Sequence, residues 1–219
     1  MIPYINIHTH HLSQNDGVFL FNNRFGFDTS YHTTSYFSIG IHPWDANKIV
    51  NKTEFENLLS NNNCLAIGEC GLDKNLVIEL EQQKLIFEYQ LQLAVKLQKP
   101  LIIHCVRAYD ELIEICKPYL HQVPCIIHGF QKHVALAQQL VKLGFYVSLS
   151  NRFFDKAFKD NTQEELHFSK QLFLETDDAP QLTIAEVYQL ASVYFKMTEE
   201  EVKHKFFNNF TALFKENGR

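Results

Sequence analysis

The sequence has no apolar run approaching the ~18–20 residues that a membrane-spanning helix needs, so no such helix is expected. It has no basic excess either. Twenty Lys and Arg against 25 Asp and Glu leave a net charge of −5 at pH 7, which excludes a strongly basic nucleic-acid coat protein. Low-complexity tracts, charge blocks, sequence repeats and Pro/Gly/Ser linkers are all missing. With 219 residues and about 150 residues per domain, a single domain over residues 1–219 is expected. The opening Met1-Ile2-Pro3-Tyr4 lacks the basic-then-apolar order of a signal peptide. CxxC spacing is also absent: the five cysteines (64, 70, 105, 116, 125) are odd in number and mostly sit in apolar runs. Reduced core thiols and a cytoplasmic location follow as expectations.

At 46% hydrophobic and 21% charged the composition is that of an ordinary globular chain. Two counts stand out, 11 His and 19 Phe. Short apolar runs of strand length recur at Tyr4–Ile7, Tyr36–Ile41, Cys64–Gly68, Leu101–Ile103, Cys125–Ile127, Phe145–Leu149 and Leu172–Leu174. Segments with helical spacing lie between most of them. Over Leu80–Gln98, residues Leu85, Ile86, Tyr89, Leu93 and Leu97 mark one helical face. Asp110–Tyr119 and Val134–Leu143 read the same way, the latter closed by Gly144. Thr183-x-x-Glu186 and Thr198-x-x-Glu201 are capping boxes that open two further helices. Strands apolar throughout and alternating with helices indicate a parallel sheet covered on both faces. An open doubly wound sheet and a (β/α) barrel both fit, the barrel being trimmed over residues 12–35, where no helix is convincing and Val18–Phe21 reads as a short strand.

The chemistry lies at the ends of these runs. Ile5-Asn6-Ile7 leads to His8-Thr9-His10, and two residues apart on a strand point to one face. The next runs lead to His42, Glu69, His104 and His128, and Phe173-Leu174 leads to Glu175-Thr176-Asp177. Six runs therefore end, always on the C-terminal side, in residues able to bind a metal or move a proton. In a barrel those ends share the rim where active sites are built, and in an open sheet they share one edge. His11, His32, His121, His133, His167 and His204 stand outside the pattern and read as surface or loop residues, and Cys70 and Cys105 as packing groups. Mixed imidazole and carboxylate donors suit Zn²⁺, Mn²⁺, Fe²⁺ or Co²⁺. Seven candidate ligands exceed the three or four that one open catalytic ion uses. Two ions bridged by a carboxylate fit better, a pair suited to metal-assisted hydrolysis of a phosphate ester.

Several stretches carry a family resemblance: Ile7-His8-Thr9-His10, Gly40-Ile41-His42-Pro43-Trp44, Ile67-Gly68-Glu69-Cys70-Gly71-Leu72-Asp73, Ile102-Ile103-His104, Ile127-His128-Gly129-Phe130 and Leu174-Glu175-Thr176-Asp177-Asp178-Ala179-Pro180. In order, and with the closing Asn209-Phe210-Thr211-Ala212-Leu213-Phe214, they resemble the TatD-related metal-dependent hydrolases, a family associated with deoxyribonuclease activity. The resemblance implies a TIM-barrel-like hydrolase of a short variant, holding two divalent ions of zinc, manganese or magnesium. It implies that His8, His10 and Asp177 hold one ion, that Glu69 bridges to a second held by His104 and His128, and that Asp177 orients or deprotonates the attacking water. It assigns His42 and Glu175 to orienting the phosphate and supporting the ligands. The chain departs from the family pattern in places. Only 31 residues separate His10 from His42, and Arg107 stands three residues after His104 rather than two. The family's Phe-Ser-Gly turn is Gly129-Phe130-Gln131-Lys132 here, and its basic segment after Asp-Ala-Pro is missing.

A duplex binder contacting many phosphates would carry a basic stripe, and only scattered cations (Arg24, Lys74, Arg107, Lys132, Arg152) lie near the inferred rim. DNA strand ends or short oligonucleotides are therefore the expected substrate. Trp44, Phe130, Phe153 and Phe154 are candidates for base stacking, although Phe in a Phe-rich chain more often packs in the core. No membrane or obligate protein partner is implied. The rival readings are a metallohydrolase for a small amide, lactone or phosphate ester, and a metal-stabilised binding protein without turnover.

Overall fold

The computed structural model describes residues 2–11, 17–27, 30–160 and 166–215. Eight strands occupy one sheet in chain order: β1 (Tyr4–Thr9), β2 (Gly17–Arg24), β3 (Phe37–Gly40), β4 (Cys64–Asp73), β5 (Leu101–Val106), β6 (Cys125–Phe130), β7 (Tyr146–Leu149) and β8 (Leu172–Leu174). The helices are α1 (Lys52–Leu59), α2 (Leu80–Leu97), α3 (Tyr109–Cys116), α4 (Val134–Leu143), α5 (Asn151–Asp160), α6 (Ile184–Phe195) and α7 (Glu199–Phe210). Neighbouring parallel strands need a crossover connection, and a helix supplies it after each strand from β3 to β8. The architecture is the expected TIM-barrel-like α/β fold. Among the described residues no helix intervenes between β1, β2 and β3, and β2 contains the expected strand Val18–Phe21. Of the expected trimmed stretch 12–35, residues 12–16 and 28–29 lie outside the described residues.

The seven apolar runs are strands, but four of them continue beyond the apolar residues. Glu69, His104 and His128 lie inside β4, β5 and β6, and His8 inside β1, rather than following them. Backbone pairing explains the difference: Gly71 aligns with His104, Leu72 with Cys105 and Asp73 with Val106, so the ladder runs past the point where hydrophobicity stops. The absence of a side chain at Gly71 permits this. Its φ is 141°, and a Cβ there would lie 2.0 Å from the His104 carbonyl oxygen.

By chain contacts the molecule divides into two compact units, Met1–Phe19 with His128–Arg219, and Leu20–Ile127. In the first unit Asp177 N–H donates to the His8 carbonyl (3.1 Å) and His10 N–H to the Asp177 carbonyl (3.2 Å), a parallel bridge between the end of β1 and the segment after β8. The buried Tyr188 hydroxyl accepts from Ile5 N–H (3.0 Å) and donates to the Ile5 carbonyl (3.2 Å), tying α6 to β1. Both capping boxes form, at Thr183/Glu186 on α6 and Thr198/Glu201 on α7, and Gly144 closes α4 in the left-handed conformation (φ 107°). Phe130, Phe153 and Phe154 are buried, with Phe153 and Phe154 packed edge-to-face against each other and around Tyr194. They are core residues and not base-stacking surfaces, a correction that leaves Trp44 alone of the four candidates.

In the second unit β2 to β6 pair in parallel. The inner face of α2 is only partly the one that hydrophobic spacing indicated. Leu93 is buried and Ile86, Tyr89 and Leu97 are half-buried, but Leu85 is 68% exposed, and Gln83, Phe87, Gln90, Leu91 and Ala94 are buried as well. The reason is polar. Gln90 Oε1 accepts from Ile41 N–H (2.7 Å) and its Nε2 donates to the Ile41 carbonyl (3.0 Å). Gln83 does the same for Asp73, at 2.8 and 3.1 Å. Each glutamine satisfies both backbone groups of a residue at a strand end, where the sheet ladder has run out. Gln90→Leu keeps the volume and strands both Ile41 groups in the core. It is expected to destabilise the protein by about 2–4 kcal/mol, at about 1–3 kcal/mol per unsatisfied group, read as a lowered denaturation midpoint with unchanged m-value.

Candidate metal centre

Each unit gathers its own set of potential ligands. In the first, β1 presents His8 inward and delivers His10 just beyond its end, because residues i and i+2 on a strand share a face. His8 Nε2 and His10 Nε2 are 3.2 Å apart, and each lies 3.7 Å from Asp177 Oδ1. Ligands at about 2.0–2.2 Å from one tetrahedral ion stand roughly 3.3–3.6 Å from one another, so this triangle has the dimensions of a metal-binding face. Asp177 reaches it from a left-handed backbone (φ 54°) held by the two hydrogen bonds to His8 and His10. Behind it, Asn6 Nδ2 donates to Thr176 Oγ1 (2.8 Å) and Asn6 Oδ1 accepts from Thr176 N–H (3.2 Å), locking the Glu175–Asp177 turn to β1.

His128 joins this set. Its ring centroid is 4.3 Å from that of His8, and ligand atoms of His8, His128 and Asp177 lie within 4.8 Å of one another. His128 Nδ1 is also 3.7 Å from Glu175 Oε1, which accepts from Gly129 N–H at 2.5 Å. Glu175 is fully buried, and its Oε2 has no hydrogen-bond partner among the described residues. A buried carboxylate oxygen with no protein donor is stabilised by positive charge nearby, which a bound cation would supply. The donor set therefore fits a divalent ion.

In the second unit Glu69 is the centre. Its Oε1 is 3.1 Å from His42 Nε2 and 2.7 Å from His104 Nδ1, and its Oε2 accepts from Asn22 Nδ2 (3.3 Å). Asn22 Oδ1 accepts in turn from Glu69 N–H at 3.0 Å. Two imidazoles and a carboxylate are a second N/O donor set suited to a divalent ion. His42 caps a short 3₁₀ turn, Pro43–Asp45, with its Nδ1 accepting from Trp44 N–H (3.1 Å), which leaves Nε2 aimed at Glu69. Burial pushes the His42 pKa down against the pull of Glu69, favouring the neutral imidazole. His104 Nε2 lies 3.5 Å from Asp73 Oδ2. Burial alone would raise the Asp73 pKa, but hydrogen bonds from His104, Asn75 N–H and Trp44 hold it below the usual carboxylate value.

Every residue expected at the site is thus in one of the two sets: His8, His10, His128, Glu175 and Asp177 in the first unit, His42, Glu69 and His104 in the second; His128, expected to share an ion with Glu69 and His104, is grouped with His8 and Asp177. Asn22 and Asp73 escaped the sequence reading. Asn22 had a signal, since Phe19-Leu20-Phe21 is followed by polar residues just where the other runs yield to ligands. The remaining histidines stay peripheral: His121, His133, His167 and His204 are exposed, and His11 pairs with the exposed Asp178 (2.8 Å).

In the curated proteins the chain is 32% identical over 149 residues to a 3′-5′ ssDNA/RNA exonuclease TatD of Citrobacter koseri, covering 65% of this chain and 57% of that protein. It is 33% identical to the enzyme of the same name in Salmonella typhimurium, with the same coverage. The chain thus spans a little over half the length of these relatives. Among solved structures, the TatD homolog YJJV of Escherichia coli K12 superposes with a TM-score of 0.78 at 20% identity, covering 98% of this chain and 99% of that one. A TatD family hydrolase of Entamoeba histolytica gives 0.74 at 14% identity, covering 97% and 98%. The family described as TatD related DNase matches residues 23–215, and the chain belongs to that family.

Proposed function

We propose that this protein is a divalent-metal-dependent phosphodiesterase that removes nucleotides from the ends of single-stranded DNA or short oligonucleotides. The observation that carries the reading is the triangle of His8 Nε2, His10 Nε2 and Asp177 Oδ1, with edges of 3.2, 3.7 and 3.7 Å. The family and the names of the curated relatives support the same activity. Two ions are proposed, one at His8, His10 and Asp177 and one at Glu69 and His104, with zinc, manganese or magnesium as the candidates. Bound there, they would supply Lewis acidity toward the phosphate and acidify the attacking water. Asp177, 22% exposed at its side chain, is the group that accepts the water's proton at its carboxylate. Glu175, fully buried, holds Gly129 N–H and faces the His128 ring, so its part is to position that histidine. His42 positions Glu69 and presents Trp44 to substrate. The five cysteines are free thiols, four of them buried, which supports a reducing compartment, the cytoplasm.

The test is cleavage of a 5′-labelled single-stranded oligonucleotide with Mg²⁺, Mn²⁺ or Zn²⁺. The expected result is a ladder shortening from the 3′ end that vanishes with EDTA. No cleavage by the metal-loaded protein, with hydrolysis of a small amide, lactone or phosphate ester, would move the substrate to small molecules. Equal cleavage of circular and linear DNA would overturn the preference for strand ends.

A further inference from the structure

We propose that Trp44, with Arg24 and Phe27, forms a shelf on which one nucleobase of a single-stranded substrate stacks. The inference deepens the phosphodiesterase reading and rests on it. Trp44 and Phe27 are large aromatics left 51% and 59% exposed. Unlike the isolated Ile49 and Val77, they are organised around one cation. The Arg24 guanidinium carbon lies 4.2 Å from the Phe27 ring centroid and 5.1 Å from that of Trp44. Arg24 is ion-paired to Asp45, whose carboxylate is buried and also ion-paired to Lys48 Nζ at 2.6 Å. A buried carboxylate committed to two surface cations costs desolvation, and what it secures is the position of Arg24 against the two rings.

Trp44 is held just as firmly to the ligand set. Its backbone N–H donates to His42 Nδ1 (3.1 Å), its indole Nε1–H reaches Asp73 Oδ2 (3.4 Å), and its ring stands edge-on to His42 at 4.8 Å. An exposed indole fixed beside the residue that contacts Glu69 is a stacking surface at the mouth of phosphodiester chemistry. Bases of any identity stack on such a surface, and a neighbouring guanidinium strengthens the attraction. Arg24 and Lys48 stand against Asp45 and Asp73 there, a balance without the basic stripe that a duplex requires.

Trp44 is the sole tryptophan in the chain, so its fluorescence reports the shelf directly. The wild-type protein is titrated with a phosphorothioate oligothymidylate that resists cleavage, and with an abasic strand of equal length. The expected result is quenching by the base-bearing strand and binding of the abasic strand weaker by about tenfold or more, equivalent to about 1.4 kcal/mol at 25 °C. With labelled strands followed by anisotropy, Trp44→Phe is expected to retain the base preference and Trp44→Ala to reduce it to near unity. Equal affinity for the two strands, or binding that leaves the emission unchanged, would overturn the shelf. Cleavage of oligonucleotides, with base-bearing and abasic strands bound equally well, overturns the shelf alone. Quenching by the base-bearing strand, with no phosphodiester hydrolysed under any metal, supports the shelf and overturns the activity.

Discussion

Asp177→Asn is expected to slow single-turnover cleavage of a single-stranded oligonucleotide by about 10²–10⁴-fold, the usual weight of a positioned general base. Asn is the right probe because it keeps the shape. The residue sits at φ 54°, a conformation that Asn tolerates better than most L-residues. Its backbone hydrogen bonds to His8 and His10 are unchanged by the substitution. What disappears is the negative charge at Oδ1, 3.7 Å from both histidine nitrogens, and with it the capacity to take a proton or neutralise a cation. The neighbouring Asp178 is the control. It is 71% exposed at its side chain and contacts His11, so Asp178→Asn is expected to fall within about ±0.5 kcal/mol of wild type in stability. Circular dichroism checks that both variants fold. An Asp177→Asn enzyme cleaving within threefold of wild type would remove Asp177 from the chemistry.

The second large effect is on metal content. Glu69→Ala is expected to weaken metal binding by at least about 10–100-fold, a loss that even a residue supporting a ligand produces. His42→Ala is expected to cost less. Glu69 Oε1 is the point on which both imidazoles converge, 3.1 Å from His42 and 2.7 Å from His104, so its removal leaves the two rings without their shared acceptor. Removal of His42 leaves the shorter His104–Glu69 contact and the Asn22 hydrogen bonds standing. Elemental analysis after dialysis against limiting zinc measures the difference. A parallel thermal titration checks it, because an ion that binds only the folded state raises the melting temperature in proportion to its affinity. If Glu69→Ala stays fully loaded, Glu69 is not a ligand.

Much of this architecture is legible before folding is considered. Parallel strands buried on both faces must be apolar along their whole length, so Leu101–Ile103 and Cys125–Ile127 declare themselves. Capping boxes declare α6 and α7 because the Thr and Glu satisfy orphan N–H groups within one turn. The ligands are visible for a related reason: imidazoles and carboxylates repeatedly placed where apolar runs stop have no local role that would explain them. The α1 and α5 helices gave no comparable signal. The buried face of α2 is only partly legible, because Gln83 and Gln90 count as polar in any periodicity, yet they belong inside, pairing with Asp73 and Ile41.

The chain's order of residues therefore shows most of the strands, the capped helices and the candidate ligands, since strand patterning, caps and ligand types are local properties. Partnership between those side chains is a different matter. That Glu69 meets His42 and His104 while being held by Asn22, and that His128 lies against His8, follows from strand register and backbone direction, which no single segment encodes. The aromatics divide on the same ground. Phe130, Phe153 and Phe154 resemble Trp44 in composition terms, but three are sealed in the core and one is left at the surface beside His42. Burial is decided by what packs on the other side, and only the assembled tertiary structure supplies that neighbour.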